Sequence, residues 1–69
     1  MKNMRYKGYT GSVEFSEADG CFFGEVQGLH GALISYEGNS VEELKEDFEG
    51  AIDDYLIFCE EDGIEPAKP

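Results

Sequence analysis

A helical repeat of apolar residues in the second half of the chain places the strongest constraint on its fold. The repeat consists of Val41, Leu44, Phe48, Ala51, Ile52, Tyr55 and Cys59, with Leu56 and Phe58 at its margins. Because an α-helix turns by about 100° per residue, steps of three and four place these side chains on one face. Such a helix needs a second layer of structure to cover that face.

Capping signals define the ends of this helix. Ser40 is a favourable N-cap, and Glu43 follows three residues later, so the two form a capping box. Gly63 is a natural C-terminal stop, and Pro66 prevents the helix from continuing. The sequence therefore predicts a helix over residues 41–62.

The opposite face of the predicted helix is acidic. It carries Glu42, Glu43, Glu46, Glu49, Asp53, Asp54, Glu60 and Glu61. Lys45 is the only base within residues 41–62, so salt bridges between successive turns cannot neutralise the row. Ile57 also points into this face, where an apolar side chain surrounded by acids could mark a contact patch.

The acidic excess belongs mainly to the half of the chain that contains the helix. Sixteen acids and five bases give a formal net charge of −11. Residues 1–38 hold three bases and five acids, whereas residues 39–69 hold two bases and eleven acids. This surface repels phosphate backbones, so we expect no direct nucleic-acid binding, and it attracts basic proteins. The alternative is that the charge only keeps a small protein in solution.

The first half of the chain has the two-residue alternation of β-strands. It predicts a strand over residues 9–16, a turn at 17–20, a return strand over 21–26 and a third strand over 32–38. The residues predicted to face inward are Tyr9, Gly11, Val13, Phe15, Phe22, Gly24, Val26, Ala32, Ile34 and Tyr36. Phe23 faces the other way, beside Cys21 and Glu25.

Together these elements predict one α+β domain over residues 1–69, in which a three-stranded antiparallel sheet packs on one long C-terminal helix. We expect residues 1–5 to be flexible and residues 65–69 to form an extended tail. A domain of this size has a thin core, so its stability often depends on a partner or on self-association.

The remaining reactive residues favour neither a metal site nor an enzyme. Cys21 and Cys59 form no CxxC pair and are expected to be reduced thiols in the cytoplasm. His30, in a glycine-rich loop, is the only histidine, whereas a zinc site needs about four ligands. Glu14 and Glu25 could share a sheet face, but nothing in the spacing of the acids makes them converge on magnesium. No membrane span or secretory signal is evident, and we expect no cofactor.

Several segments in a fixed order resemble the HicB antitoxin family of bacterial toxin–antitoxin pairs. After the hairpin come GEVQGLHG, a strand ending in YEGNS, then VEELKEDFEGAIDDYL and CEEDGIEPAKP. The most specific parts are G-x-S-x-E-E-L at residues 38–44, AIDDYL at 51–56 and GIEP at 63–66. The similarity covers residues 6–69.

This resemblance implies a shortened ribonuclease-H-like module that acts as a binding protein and not as an enzyme. Its partner would be a HicA-type toxin, a small basic RNA-cleaving protein, whose RNA-binding or catalytic surface it would cover. Many family members continue into a further strand and a DNA-binding segment, whereas this chain stops at Pro69, so no operator binding is expected from it. The missing strand would leave a sheet edge open, which favours a homodimer or strand pairing with a partner.

We expect the partner to contact the densest part of the acidic helix row. The predicted contact residues are Glu42, Glu46, Glu49, Asp53 and Ile57. The open sheet edge is the competing surface. The alternative function is a generic acidic dimerisation or protein-interaction module that binds another basic protein.

Overall fold

The computed structural model describes residues 3–29 and 32–67, and it has the predicted α+β architecture. The elements in chain order are β1 (Met4–Tyr6), β2 (Tyr9–Gly11), β3 (Glu14–Ser16), β4 (Cys21–Glu25), β5 (Ser35–Gly38) and α1 (Val41–Asp62). Strands β3, β4 and β5 form a three-stranded antiparallel sheet that packs against α1. Strands β1 and β2 form an additional small hairpin. The helix after the last strand thus supplies the cover that the apolar sheet face needs.

Helix α1 begins and ends where the capping signals predict. The side chain of Ser40 accepts a hydrogen bond of 3.1 Å from the amide of Glu43. Gly63 has a left-handed backbone with φ of 66°, and the next amide, of Ile64, donates to the carbonyl of Cys59 at 2.8 Å. Glycine adopts this conformation without the steric cost that a Cβ would bring, which is why the helix stops there.

The predicted strand over residues 9–16 is interrupted at Ser12 and Val13. Gly11 still pairs with Val26, and Glu14 pairs with Phe23, so the register is the same on both sides of the interruption. A side-chain hydrogen bond at Ser12 explains the break. The hydroxyl of Ser12, and not its carbonyl, accepts from the amide of Glu25 at 3.1 Å.

The prediction of a flexible N-terminus over residues 1–5 is wrong for its last two residues. Met4 and Arg5 were expected to be flexible, but they belong to β1, which pairs with β2. The hairpin turns at Lys7 and Gly8, whose φ angles of 51° and 85° are both positive. A two-residue turn of this kind matches the twist of the flanking strands and therefore closes a tight hairpin.

The core lies between α1 and the inner faces of the sheet and hairpin. Its buried residues are Tyr9, Val26, Ile34, Tyr36, Leu44, Phe48 and Ile52. The rings of Tyr36 and Phe48 meet edge to face with centroids 5.0 Å apart. These residues agree with the predicted inward faces.

Some predicted apolar positions remain exposed because α1 packs mainly on β5 and leaves the edge strand β3 uncovered. Phe15 on β3 is 50% exposed and packs beside Phe22, with ring centroids 4.9 Å apart. Val41, in the first helical turn, and Phe58, on the margin of the apolar face, are about half exposed. The covered part of the helix therefore begins at Leu44.

The C-terminal tail is anchored as far as Ala67. The hydroxyl of Tyr9 donates to the carbonyl of Ala67 at 2.8 Å. The amide of Ala67 donates to the hydroxyl of Tyr55, also at 2.8 Å. Two tyrosines from different elements thus hold the backbone amide and carbonyl of Ala67 in place. The last two residues of the predicted 65–69 tail lie outside the described residues.

Candidate functional site

The outer face of α1 carries the residues that the sequence predicts as partner contacts. Glu42 and Glu46 are exposed, while Glu49 and Asp53 are half-buried. Ile57 is 53% exposed, diametrically opposite the buried Phe48 on the helical wheel. These side chains share one face of α1. Because the surface of a helix is convex, they form a row of charges and not a pocket.

Asp53 differs from the other acids of this row because it is paired within the chain. Its carboxylate accepts from Lys7 Nζ at 2.8 Å and from the hydroxyl of Tyr6 at 3.1 Å. The hydrogen bond from Lys7 holds the pKa of Asp53 below its ordinary value, and the same bond raises the pKa of Lys7. Within residues 3–29 and 32–67 this is the only ion pair. Asp53 therefore fastens the hairpin to the helix, which leaves it less available to a partner.

A second acidic surface lies on the outer face of the three-stranded sheet. It is an open concavity of about 590 Å³, which we call the sheet concavity. Its lining consists of Glu14, Phe23, Gly24, Glu25, Ser35, Tyr36, Glu37 and Asp47. The sequence allows Glu14 and Glu25 to share one sheet face, and both line this surface.

The strand register places an aromatic ring between two carboxylates. Phe23 on β4 pairs with Glu14 on β3 and with Glu37 on β5. Because directly opposed residues of paired strands have adjacent side chains, the two glutamates flank the ring. Phe23 is 40% exposed in the middle of this row.

Asp47 is a further functional candidate, which the sequence alone does not identify. Its carboxylate accepts the backbone amide of Glu37 at 2.9 Å, which fixes a helix side chain at the edge of the sheet. This bond also satisfies a donor on the edge strand β5, so that edge is less open than the sequence suggested. No periodic pattern marks Asp47, since its role depends on the packing of α1 beside β5.

The sheet concavity has no counter-charge of its own. Four carboxylates line it, and no lysine or arginine is among its lining residues. Strands β3, β4 and β5 also contain no basic residue. In the described part of the chain, no three His, Cys, Asp or Glu side chains are grouped so as to hold a metal ion. The charge is therefore spread around the ring of Phe23 and not focused on one point.

The β1–β2 hairpin carries a third candidate surface, which is basic. A shallow depression of about 490 Å³ is lined by Arg5, Tyr6, Lys7, Gly8 and Thr10. Lys7 lies 5.3 Å from the centroid of the Tyr6 ring and is paired with Asp53, so part of this positive charge is already compensated.

The other predicted candidates add no site. Cys21 is a half-buried free thiol and Cys59 is a buried one. His30 lies outside the described residues. Among the described residues, no helix combines the length and apolar character needed to cross a bilayer.

Comparisons with protein-family models, with characterised proteins and with solved structures return no match for this chain.

Proposed function

We propose that this chain is the antitoxin of a HicA/HicB-type toxin–antitoxin pair. It binds a small basic RNA-cleaving toxin and covers the surface that the toxin uses to hold or cleave RNA. The observation that carries this proposal is the set of acids on two faces of so small a domain, the outer face of α1 and the sheet concavity, of which only Asp53 forms an ion pair among the described residues. The chain has no catalytic role in this mechanism and uses no cofactor.

The mechanism is competition for one basic surface. A protein that holds RNA must present lysine and arginine to the phosphates, and most of its affinity depends on those contacts. An acidic domain is attracted to the same surface, and the attraction speeds association. Once the domain is bound, the substrate is excluded by both steric overlap and like charge.

Three further features support the proposal. The observed sheet and capped helix are compatible with the shortened α/β module that the resemblance implies. The two free cysteines suit a reducing compartment, which is where an RNA-cleaving toxin would act. Strand β3 is an open, three-residue edge of the sheet, so it offers a place for self-association into a dimer.

Co-expression with the product of a neighbouring reading frame tests the proposal. The expected neighbour is short, basic and contains histidine. Cells that make it alone should stop growing, and cells that also make this chain should recover. The purified pair should form a complex whose affinity falls as salt concentration rises.

Continued RNA cleavage in the presence of this chain contradicts the proposal. If the two proteins bind each other while cleavage continues, the chain is instead a generic acidic interaction module. That outcome would keep the charge-based recognition but remove the inhibitory role.

A further inference from the structure

We propose that the sheet concavity, with Phe23 at its centre, is the docking surface for an arginine-bearing segment of the basic partner protein. This inference rests on the proposed function, and it assigns the contact to the sheet and not to the helix row. The occupant is a guanidinium group that lies over the Phe23 ring and is held by the surrounding carboxylates.

The register of the sheet supplies the geometry. Glu14, Phe23 and Glu37 lie side by side on three consecutive strands, and adjacent strands are about 4.8 Å apart. Glu25 lies two residues along β4, on the same face, and lines the same concavity. A cation over the ring therefore has carboxylates within reach on both sides.

The chemistry of this lining selects a cation with a planar, partly apolar face. An aromatic ring attracts a cation over its face, and arginine is the side chain most often found there. Its guanidinium group also forms paired hydrogen bonds with carboxylates. The half-exposed Phe23 and its flanking glutamates present both kinds of partner at one place.

The carboxylates of this arrangement have no basic partner on the strands that carry them. Strand pairs are more stable when opposed charges are of opposite sign, and here no base lies on any of the three strands. A basic partner would supply the missing positive charge. Charge complementarity therefore favours a basic protein over a second copy of this chain, which carries the same net charge of −11.

The concavity is also better built than the helix row to hold a side chain. It has a rigid floor, because Phe23 belongs to a strand that is paired on both sides. Asp47 forms a fixed wall, since the amide of Glu37 holds its carboxylate at 2.9 Å. By contrast, the helix row is convex, and its member Asp53 is already paired with Lys7.

Matched charge-neutralising variants of the full chain test this assignment. The double variant Glu25→Gln/Glu37→Gln removes two charges from the concavity, and Glu42→Gln/Glu46→Gln removes two from the helix row. The probe is a short oligoarginine peptide, and the readout is its affinity measured by calorimetry at low ionic strength. We expect the concavity pair to lose roughly fivefold or more in affinity and the helix pair to lose less than about twofold.

A second matched pair isolates the aromatic ring. Phe23→Leu keeps an apolar side chain but removes the ring, and Phe15→Leu makes the same change at an exposed position on the other sheet face. We expect Phe23→Leu to weaken peptide binding roughly two- to fivefold and Phe15→Leu to leave it unchanged. In NMR titrations of the unaltered chain, shifts should centre on Glu14, Phe23 and Glu37.

If the two double variants lost equal peptide affinity, the attraction would be only diffuse and the assignment would be overturned. A larger loss of affinity in Glu42→Gln/Glu46→Gln would also overturn it. Loss of self-association in the concavity pair, measured by sedimentation, would identify a second copy as the occupant and would also overturn it. The peptide has no toxin activity, so this test is separate from the rescue of growth. A chain that binds the peptide at the concavity but fails to protect cells would contradict the proposed function and not the docking surface.

Discussion

The hydroxyl of Tyr36 donates a 2.8 Å hydrogen bond to the main-chain carbonyl of Ser12, and this contact joins the helix-covered side of the sheet to the passage between β2 and β3. The ring of Tyr36 packs on Phe48 and its side chain is buried. Gly11 lies against both rings so closely that a Cβ there would overlap the Tyr36 hydroxyl. The Tyr36 side chain therefore contacts the Ser12 carbonyl, Gly11 and Phe48 of α1 at one place.

Because Tyr36 is buried, the free energy of unfolding of the domain should decrease at alkaline pH. Burial is the main cause that raises the pKa of Tyr36 to about 12. Because this folded-state pKa lies above the unfolded value of about 10, the stabilisation is fully present below pH 10 and is lost as pH rises toward 12. Urea unfolding across this range should show a falling free energy of unfolding.

The variant Tyr36→Phe should flatten that pH dependence while costing about 1 kcal/mol at neutral pH, because the carbonyl of Ser12 loses its donor. Some alkaline sensitivity should remain, since burial also raises the pKa of Tyr9. Identical alkaline loss in the variant and the unaltered chain would show that Tyr36 is not the responsible group.

Two glycine-to-alanine changes should have opposite effects. At Gly24 a Cβ would overlap the carbonyl of Ser12, so we expect Gly24→Ala to lose roughly 1–3 kcal/mol of stability. At Gly50, on the exposed side of α1, a Cβ would meet nothing within 4 Å, so Gly50→Ala should gain roughly 0.5–1 kcal/mol from helix propensity. Thermal or urea unfolding measures both. A stabilising Gly24→Ala would contradict the close approach of β4 to residue 12.

Local chemistry explains which parts of this fold could be predicted from the sequence. The helix limits depend on Ser40 and Gly63, which act on their own neighbours, and both ends were predicted correctly. The Asp53–Lys7 pair joins residues 46 positions apart, so no local sequence pattern predicts it. The interruption of the strand at Ser12 also depends on residues distant in the chain, since its hydroxyl accepts from the amide of Glu25 and its carbonyl accepts from the hydroxyl of Tyr36.

The candidate site was predictable only in part, for the same reason. The two-residue alternation correctly put Phe23 and Glu25 on the outer face of the sheet. The contribution of Asp47 depends on how α1 packs beside β5, which the sequence pattern does not specify. The shape of the sheet concavity could therefore not be predicted from the sequence, although two of its four carboxylates, Glu14 and Glu25, could be.

The fully buried Phe48 should be far more sensitive to truncation than the half-exposed Phe15. Phe48→Ala is expected to cost about 3–5 kcal/mol, because it removes a large side chain and leaves a cavity. A domain of this length has a total stability of about 3–10 kcal/mol, so the variant should be largely unfolded or close to it. Phe15→Ala, measured by the same urea titration, should cost about 1 kcal/mol or less, since half of its side chain is exposed. Equal costs would indicate that β3 is covered in solution, for example by a second copy.

The pairing of Asp53 with Lys7 should be visible in a titration of the carboxyl group. The pKa of Asp53 lies below its ordinary value, chiefly because Lys7 donates a hydrogen bond to it. A carboxyl with a depressed pKa stabilises the fold above its unfolded pKa, and this contribution is lost as pH falls through the folded value.

Lys7→Gln should therefore raise the pKa of Asp53, as measured by NMR, and increase the rate of amide exchange in the β1–β2 hairpin. Lys45→Gln is the matched control, because Lys45 is the basic residue of α1 and forms no ion pair with any described residue. It should leave both readouts unchanged. If Lys7→Gln also left them unchanged, the hairpin would be held by the burial of Tyr9 and not by the ion pair. Asp53 would then be as free as Glu46 to meet a partner, and the helix row would regain the residue that the sequence assigned to it.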